Sequence, residues 1–138
     1  MDKNLCKKVW GTYLDRLAGN PAAAEKISRM KIKMCFICAD HDLTLNVFFG
    51  DPEAPEGKCL SYSFDEKNNA DLVLTQDSEG FHRFWHGRQD VIAELVRGKI
   101  KAEGDVGRAL KVLPLLRPAF GLYPEVLQEM GLNEMVLS

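Results

Sequence analysis

The chain has 138 residues, 46% hydrophobic and 28% charged, with a formal net charge of −2. That length suits one domain (residues 1–138) that buries roughly two-thirds of its unfolded surface, and the near-neutral charge excludes a general electrostatic pull toward nucleic acid. No apolar run reaches the roughly 18 residues of a membrane-crossing helix; the greasiest stretch, residues 112–116, is broken by Pro114. The charged opening segment leads into no apolar run and the last residues match no retention address, so a cytoplasmic location is the expectation. On that footing Cys6, Cys35, Cys38 and Cys59 are expected to be reduced apolar fillers.

In chain order, Leu5, Val9, Tyr13 and Leu17 recur on one helical face, with Asn4 as the expected cap. Gly19-Asn20-Pro21 ends that helix and starts a short second one over residues 22–29. The period then changes to two. Residues 30–39 set Ile32, Met34, Phe36 and Cys38 against Lys31, Lys33, Cys35 and Ile37, predicting a strand. Asp40-His41-Asp42 is the tight turn into a second strand, where Leu43, Leu45, Val47 and Phe49 alternate with Thr44, Asn46 and Phe48.

The proline-bearing stretch 50–57 reads as a loop. A third strand covers residues 59–64, a turn is expected at Asn68-Asn69, and a fourth strand covers 71–75, completing a four-strand meander. Asp77 or Ser78 caps a helix with Phe81, Phe84 and Trp85 inward, stopped by Gly87. Asp90 opens another helix, with Val91, Ile92, Leu95 and Val96 inward and Gly98 at its end. Residues 99–103 predict a fifth strand. Asp105 caps a helix whose face is Val106, Ala109, Leu110 and Leu113, and broken helix follows, ending over 125–130. The fold class is therefore α+β: two layers, with a five-stranded sheet (the meander plus a fifth strand) and helices on one face.

The segment 70–113 carries a more specific pattern. It runs Ala70-Asp71-Leu72-Val73-Leu74-Thr75, then Gly87, then Gly98-Lys99-Ile100-Lys101-Ala102-Glu103-Gly104-Asp105 leading into Ala109-Leu110-Lys111. In order, spacing and glycine placement this motif core resembles the sterol carrier protein type 2 domain family. The resemblance implies a five-stranded sheet with an apolar tunnel between sheet and helices, a lipid, fatty acyl or sterol-like ligand, and no enzymatic activity. The helical tail, residues 114–138, is longer than the motif core requires, and the family's final helix commonly closes the tunnel.

A lipid tail exposed to water costs about 0.8 kcal/mol per methylene, so a dry tunnel can hold one without a covalent bond. The inward candidates for its apolar lining are Met34, Phe36, Leu45, Tyr62, Phe64, Phe84, Trp85, Ile92, Leu95, Leu110, Leu113, Leu116 and Phe120. The same residues would equally fill a solid core. Between Arg83 and Lys111 seven basic residues face four acidic ones, which makes Arg108 and Lys111 the head-group candidates and suggests transient contact with an anionic membrane surface.

No constellation for chemistry stands out. Cys35 and Cys38 form a CxxC, but inside an alternating strand positions three apart point to opposite faces. Glu79, His82 and His86 have helical spacing without the glutamate that a metalloprotease places directly after its first histidine, so the histidines read as solvated or capping near Gly87. His41 lies between two aspartates with no adjacent nucleophile. The Gly104–Gly107 stretch reads as a strand-to-helix turn. The expectation is thus a non-enzymatic lipid carrier with no metal, no cofactor and no nucleic-acid partner. The alternative is a dimerising or accessory interaction module with a filled core, favoured by Cys35, Ile37 and Phe48 on the nominally outer sheet face. A small hydrolase or transferase on a similar scaffold ranks last, for want of a nucleophile–base pair.

Overall fold

The computed structural model describes residues 1–66 and 69–137. Its first helix, α1 (Lys3–Ala18), is capped by Asp2 rather than Asn4. The Asp2 carboxylate accepts the Leu5 N–H at 2.8 Å, and Asn4 falls inside the first turn. Cys6, Val9, Trp10, Tyr13, Leu14 and Leu17 form its buried stripe. Asn20 caps α2 (Pro21–Ser28), accepting the N–H groups of Ala22 and Ala23.

Strands β1 (Ile32–Cys38) and β2 (Leu43–Phe49) pair antiparallel, from Ile32 opposite Phe49 to Cys38 opposite Leu43. β3 (Leu60–Ser63) adds to β2. The chain does not continue as a meander. β4 (Leu72–Gln76) lies on the far side of β1 and runs parallel to it, and β5 (Lys101–Gly104) pairs antiparallel with β4, giving the order β3-β2-β1-β4-β5 in a mixed sheet.

Alternation identifies a strand but not its neighbour, and the neighbour is chosen here by two features. Leu72, Val73 and Leu74 are all buried, so β4 is apolar on both faces and belongs inside the sheet. Asp71 then ties β4 to the start of β1: its N–H donates to Lys33 O and its carboxylate accepts the Lys33 N–H, both at 2.8 Å. Of the expected turn at Asn68-Asn69, Asn68 lies outside the described residues.

After β4 come α3 (Ser78–Trp85), capped by Asp77, and α4 (Val91–Val96), capped by Asp90. Asp105 caps α5 (Val106–Val112) beyond β5. A short 3₁₀ turn (Leu113–Leu116), α6 (Arg117–Phe120), α7 (Leu122–Glu129) and a last 3₁₀ turn (Asn133–Met135) complete the chain. Inward residues of β1, β2 and β4 share one core with α1, α2, α3 and α7. On the opposite sheet face Cys35 and Val73 are buried as well.

Candidate functional site

The layer between the sheet and α3 is where an apolar ligand is expected. Of the candidate lining residues, Met34, Phe36, Leu45, Phe84, Trp85 and Leu116 are buried there. Phe36 is the centre of an aromatic group, with ring centroids 5.2 Å from Trp85, 5.9 Å from Phe84 and 5.7 Å from Phe81. Phe84 reaches Phe120 at 6.3 Å. Leu95, Leu110, Leu113 and Phe120 are half-buried on the segments that follow α3. Tyr62 and Phe64, 6.0 Å apart, sit at the opposite end, where the Tyr62 hydroxyl donates to Asp15.

One expected facing is reversed. Ile92 and Val96 of α4 point to solvent, and Glu94 is buried in their place. Val91, Ile92, Leu95 and Val96 spread over an arc too wide for one contact: Val91 and Leu95 pack against the core, and the carboxylate of Glu94, held by partners, takes the place beside them. Arg83 Nη1 donates to Glu94 at 2.6 Å, and Gln89 donates to its second oxygen while also pairing with Gln76 of β4. Burial opposes the Glu94 charge, but these two donors outweigh it and hold the carboxyl below its ordinary range.

Cavities occur elsewhere. One of about 410 Å³ opens on the sheet face away from the helices, beside Lys33, Asn46, Phe48, Ser61, Ser63 and Asn69, with Lys33 Nζ 5.2 Å above the Phe48 ring. Another, of about 350 Å³, lies between the end of α1 and β3, beside Asp15, Lys58 and Leu60. Neither is lined by the Phe36–Phe84–Trp85 group.

Polar groups inside the helical layer are nearly all paired. His82 and His86 are buried, not solvated. Trp10 donates to the Tyr123 hydroxyl at 3.2 Å, and Tyr123 lies 2.9 Å from His82 Nδ1. His82 Nε2 is 2.7 Å from the carbonyl of Met135 and donates to it; in the neutral ring Nδ1 then accepts from the Tyr123 hydroxyl. His86 accepts the Leu137 N–H at Nε2 and so donates from Nδ1 to the His82 carbonyl. His86 is therefore neutral. Burial lowers both pKa values, more than the backbone carbonyls raise them. Every ring nitrogen is engaged, and Glu79 is turned to solvent beside Arg83. Among the described residues no three His, Cys, Asp or Glu side chains form a metal-holding group.

The exception is Trp85. Its indole Nε1 is buried with no hydrogen-bond partner among the described residues, in contact with the Tyr13, Phe36 and Phe84 rings. An orphaned donor in a core costs about 1–3 kcal/mol.

Cys38 and Cys35 do not act as a pair. Cys38 Sγ donates to Asp40 at 3.1 Å, and burial together with that carboxylate raises its thiol well above the usual range, leaving a poor nucleophile. Asp40 itself accepts from the Ser78 N–H and hydroxyl; burial opposes its charge, yet those bonds hold it near a pKa of about 2. Of the head-group candidates, Arg108 pairs with Asp71 at 3.4 Å and donates to the Lys31 carbonyl, so it secures α5 against the sheet. Lys111 is exposed. Glu94, Gln89 and Tyr123 carry no motif in the sequence because their partners lie in other segments of the chain, and Asp40, legible as part of the β1–β2 turn, gains its tie to Ser78 only in the fold.

No helix among the described residues is long and apolar enough to cross a membrane. No protein-family model and no curated protein matches the sequence. Solved structures do match. The fold is similar to that of a UbiJ-SCP2 ubiquinone synthesis protein, with a TM-score of 0.62 and 17% identity over 85% of this chain and 93% of that one. It is similar to the apo form of sterol carrier protein 2 from Yarrowia lipolytica, with a TM-score of 0.61 and 18% identity over 86% and 94% of the two chains. The palmitated SCP2L2 of Aedes aegypti matches at a TM-score of 0.51 and 16% identity over 85% and 96%. The mixed sheet with its covering helices, running nearly end to end with these domains, is the sterol carrier protein type 2 fold.

Proposed function

We propose that this chain binds an oxygen-bearing lipid, such as a fatty acid or a sterol-like alcohol, in the layer between the sheet and α3, and carries it without chemistry. The observation that supports this most is the unpaired Trp85 N–H. It stands among rings that suit a hydrocarbon, and it lacks only an acceptor. A carboxyl, ester or hydroxyl oxygen reaching it would remove the cost of an orphaned donor, while each buried methylene contributes about 0.8 kcal/mol. The likeness to a palmitated domain agrees with such a ligand. Among the described residues no activated nucleophile stands near: burial and Asp40 raise the Cys38 thiol, and His82 and His86 are committed to structural bonds.

Titration with a fluorescent long-chain fatty acid tests this. Saturable uptake is expected, with Trp85→Phe weakening it about tenfold, the worth of one buried hydrogen bond. No uptake by the wild type at any ratio contradicts the reading. That outcome would favour an accessory or dimerising module, to which the complete burial of Met34, Phe36, Leu45 and Leu116 already lends support.

A further inference from the structure

α4 turns only one pair of its four branched apolar residues to the protein: Val91 and Leu95 pack against the core. Its acidic side chain is buried, whereas Ile92 is 59% and Val96 83% exposed. Four positions apart, the two stand one above the other and form a single aliphatic ridge. The orientation is held from two sides: rotating α4 to bury Ile92 and Val96 would lift Val91 and Leu95 off the core and break the bonds of Glu94 to Arg83 and Gln89. Two exposed β-branched side chains on one ridge, fixed outward by the packing of the helix's other side, make a small apolar patch.

The rim of that ridge is cationic. Arg88, Arg97 and Lys99 are exposed beside it, and none has an ion pair among the described residues. The exposed acid nearby, Asp90, caps Ala93 at 3.0 Å and keeps its charge, which the three cations outnumber; the Glu94 charge is met chiefly by Arg83, with Lys99 also acting on it. The ridge carries no aromatic anchor, and two aliphatic side chains fall far short of the roughly 800 Å² per partner of a stable protein interface. Aliphatic tips inside a ring of cations instead match a surface of phosphates above acyl chains. We propose that α4 docks the protein on an anionic phospholipid surface, with Ile92 and Val96 entering the headgroup–acyl boundary and Arg88, Arg97 and Lys99 meeting lipid phosphates. The docking gives purpose to the lipid-carriage reading on which it rests, while the contact itself is read out separately.

The test is co-sedimentation of the full chain with vesicles of phosphatidylglycerol and phosphatidylcholine in equal parts, and with phosphatidylcholine alone. Wild-type protein is expected to sediment with the anionic vesicles and far less with the neutral ones. Ile92→Ser with Val96→Ser should lower that partitioning about tenfold or more, since two aliphatic side chains lose their apolar environment. Arg97→Glu with Lys99→Glu should lower it comparably, but Lys8→Glu with Lys26→Glu, equal in charge change and exposed on α1 and α2, should leave it unchanged. Wild-type protein that ignores anionic vesicles would overturn the proposal. So would an equal loss in the Lys8/Lys26 variant, or a dimer in light scattering that the Ile92/Val96 variant dissolves. Fatty-acid uptake is scored on the same samples: wild-type protein that binds vesicles but takes up no fatty acid contradicts lipid carriage and leaves the docking surface standing.

Discussion

Arg83 on α3 donates to the buried carboxylate of Glu94 on α4 at 2.6 Å, and this pair sets which face of α4 meets the protein. Replacing Glu94 by Ala leaves Arg83 and Gln89 without their acceptor. Because Arg83 is partly solvated, the expected loss is about 1–3 kcal/mol rather than the full cost of breaking a wholly buried pair. Urea denaturation measures it. The depressed Glu94 pKa adds a pH signature: its contribution is present above the unfolded value of about 4.3 and is lost as pH falls below it. Glu94→Ala should therefore flatten the acid side of the stability curve.

The C-terminal segment should loosen in mild acid. His86 accepts the Leu137 N–H only as a neutral ring, and burial depresses the folded-state pKa values of both His86 and its neighbour His82. The unfolded chain then binds more protons, so stability is full above the ordinary histidine value of about 6.5 and declines as pH drops below it. Hydrogen exchange at Leu137 and the preceding turn should accelerate between neutral pH and about pH 5. His86→Gln should remove much of that pH dependence.

Gly104 should accept no side chain. Its φ is +112°, and a Cβ there would stand 2.3 Å from the Asp71 carbonyl oxygen. Both strain and a backbone clash follow, so Gly104→Ala is expected to cost about 2–3 kcal/mol by chemical denaturation. Gly98→Ala, left-handed but with open space around it, should cost less, about 1 kcal/mol.

Asp40 links the β1–β2 turn to the start of α3 through Ser78 and also binds Cys38. Asp40→Ala is expected to destabilise by about 1–2 kcal/mol. It should also raise the alkylation rate of Cys38 at mildly alkaline pH, because the neighbouring carboxylate that disfavours the thiolate is gone. Thiol labelling in native buffer reads this out.

Much of the fold was legible locally. The alternation of Leu43, Leu45, Val47 and Phe49 marks β2, Asn20-Pro21 opens α2, and the glycine at 104 before the Asp105 cap reflects a left-handed residue pressed against Asp71. What stayed hidden depends on partners distant in sequence. β4 joins β1 in parallel because Asp71 meets Lys33, 38 residues away, a contact no periodicity encodes. α4 leaves Ile92 and Val96 outside because Glu94 finds Arg83 and Gln89 beside the packed Val91 and Leu95; over six residues the pattern does not say which part of that broad apolar arc turns inward. The histidines looked solvated because Tyr123, Met135 and Leu137, which enclose them, arrive 41 to 53 residues later. Apolar lining and plain core share one composition, so the sequence alone does not separate the two.

The most direct test of lipid carriage is native mass spectrometry of protein purified without detergent, followed by organic extraction. A co-purifying oxygen-bearing lipid that stays bound in the native ion and is released on denaturation is the predicted result. A bare chain mass, from protein that also fails to take up added fatty acid, would contradict the account and leave the aromatic group around Phe36 and Trp85 as core alone.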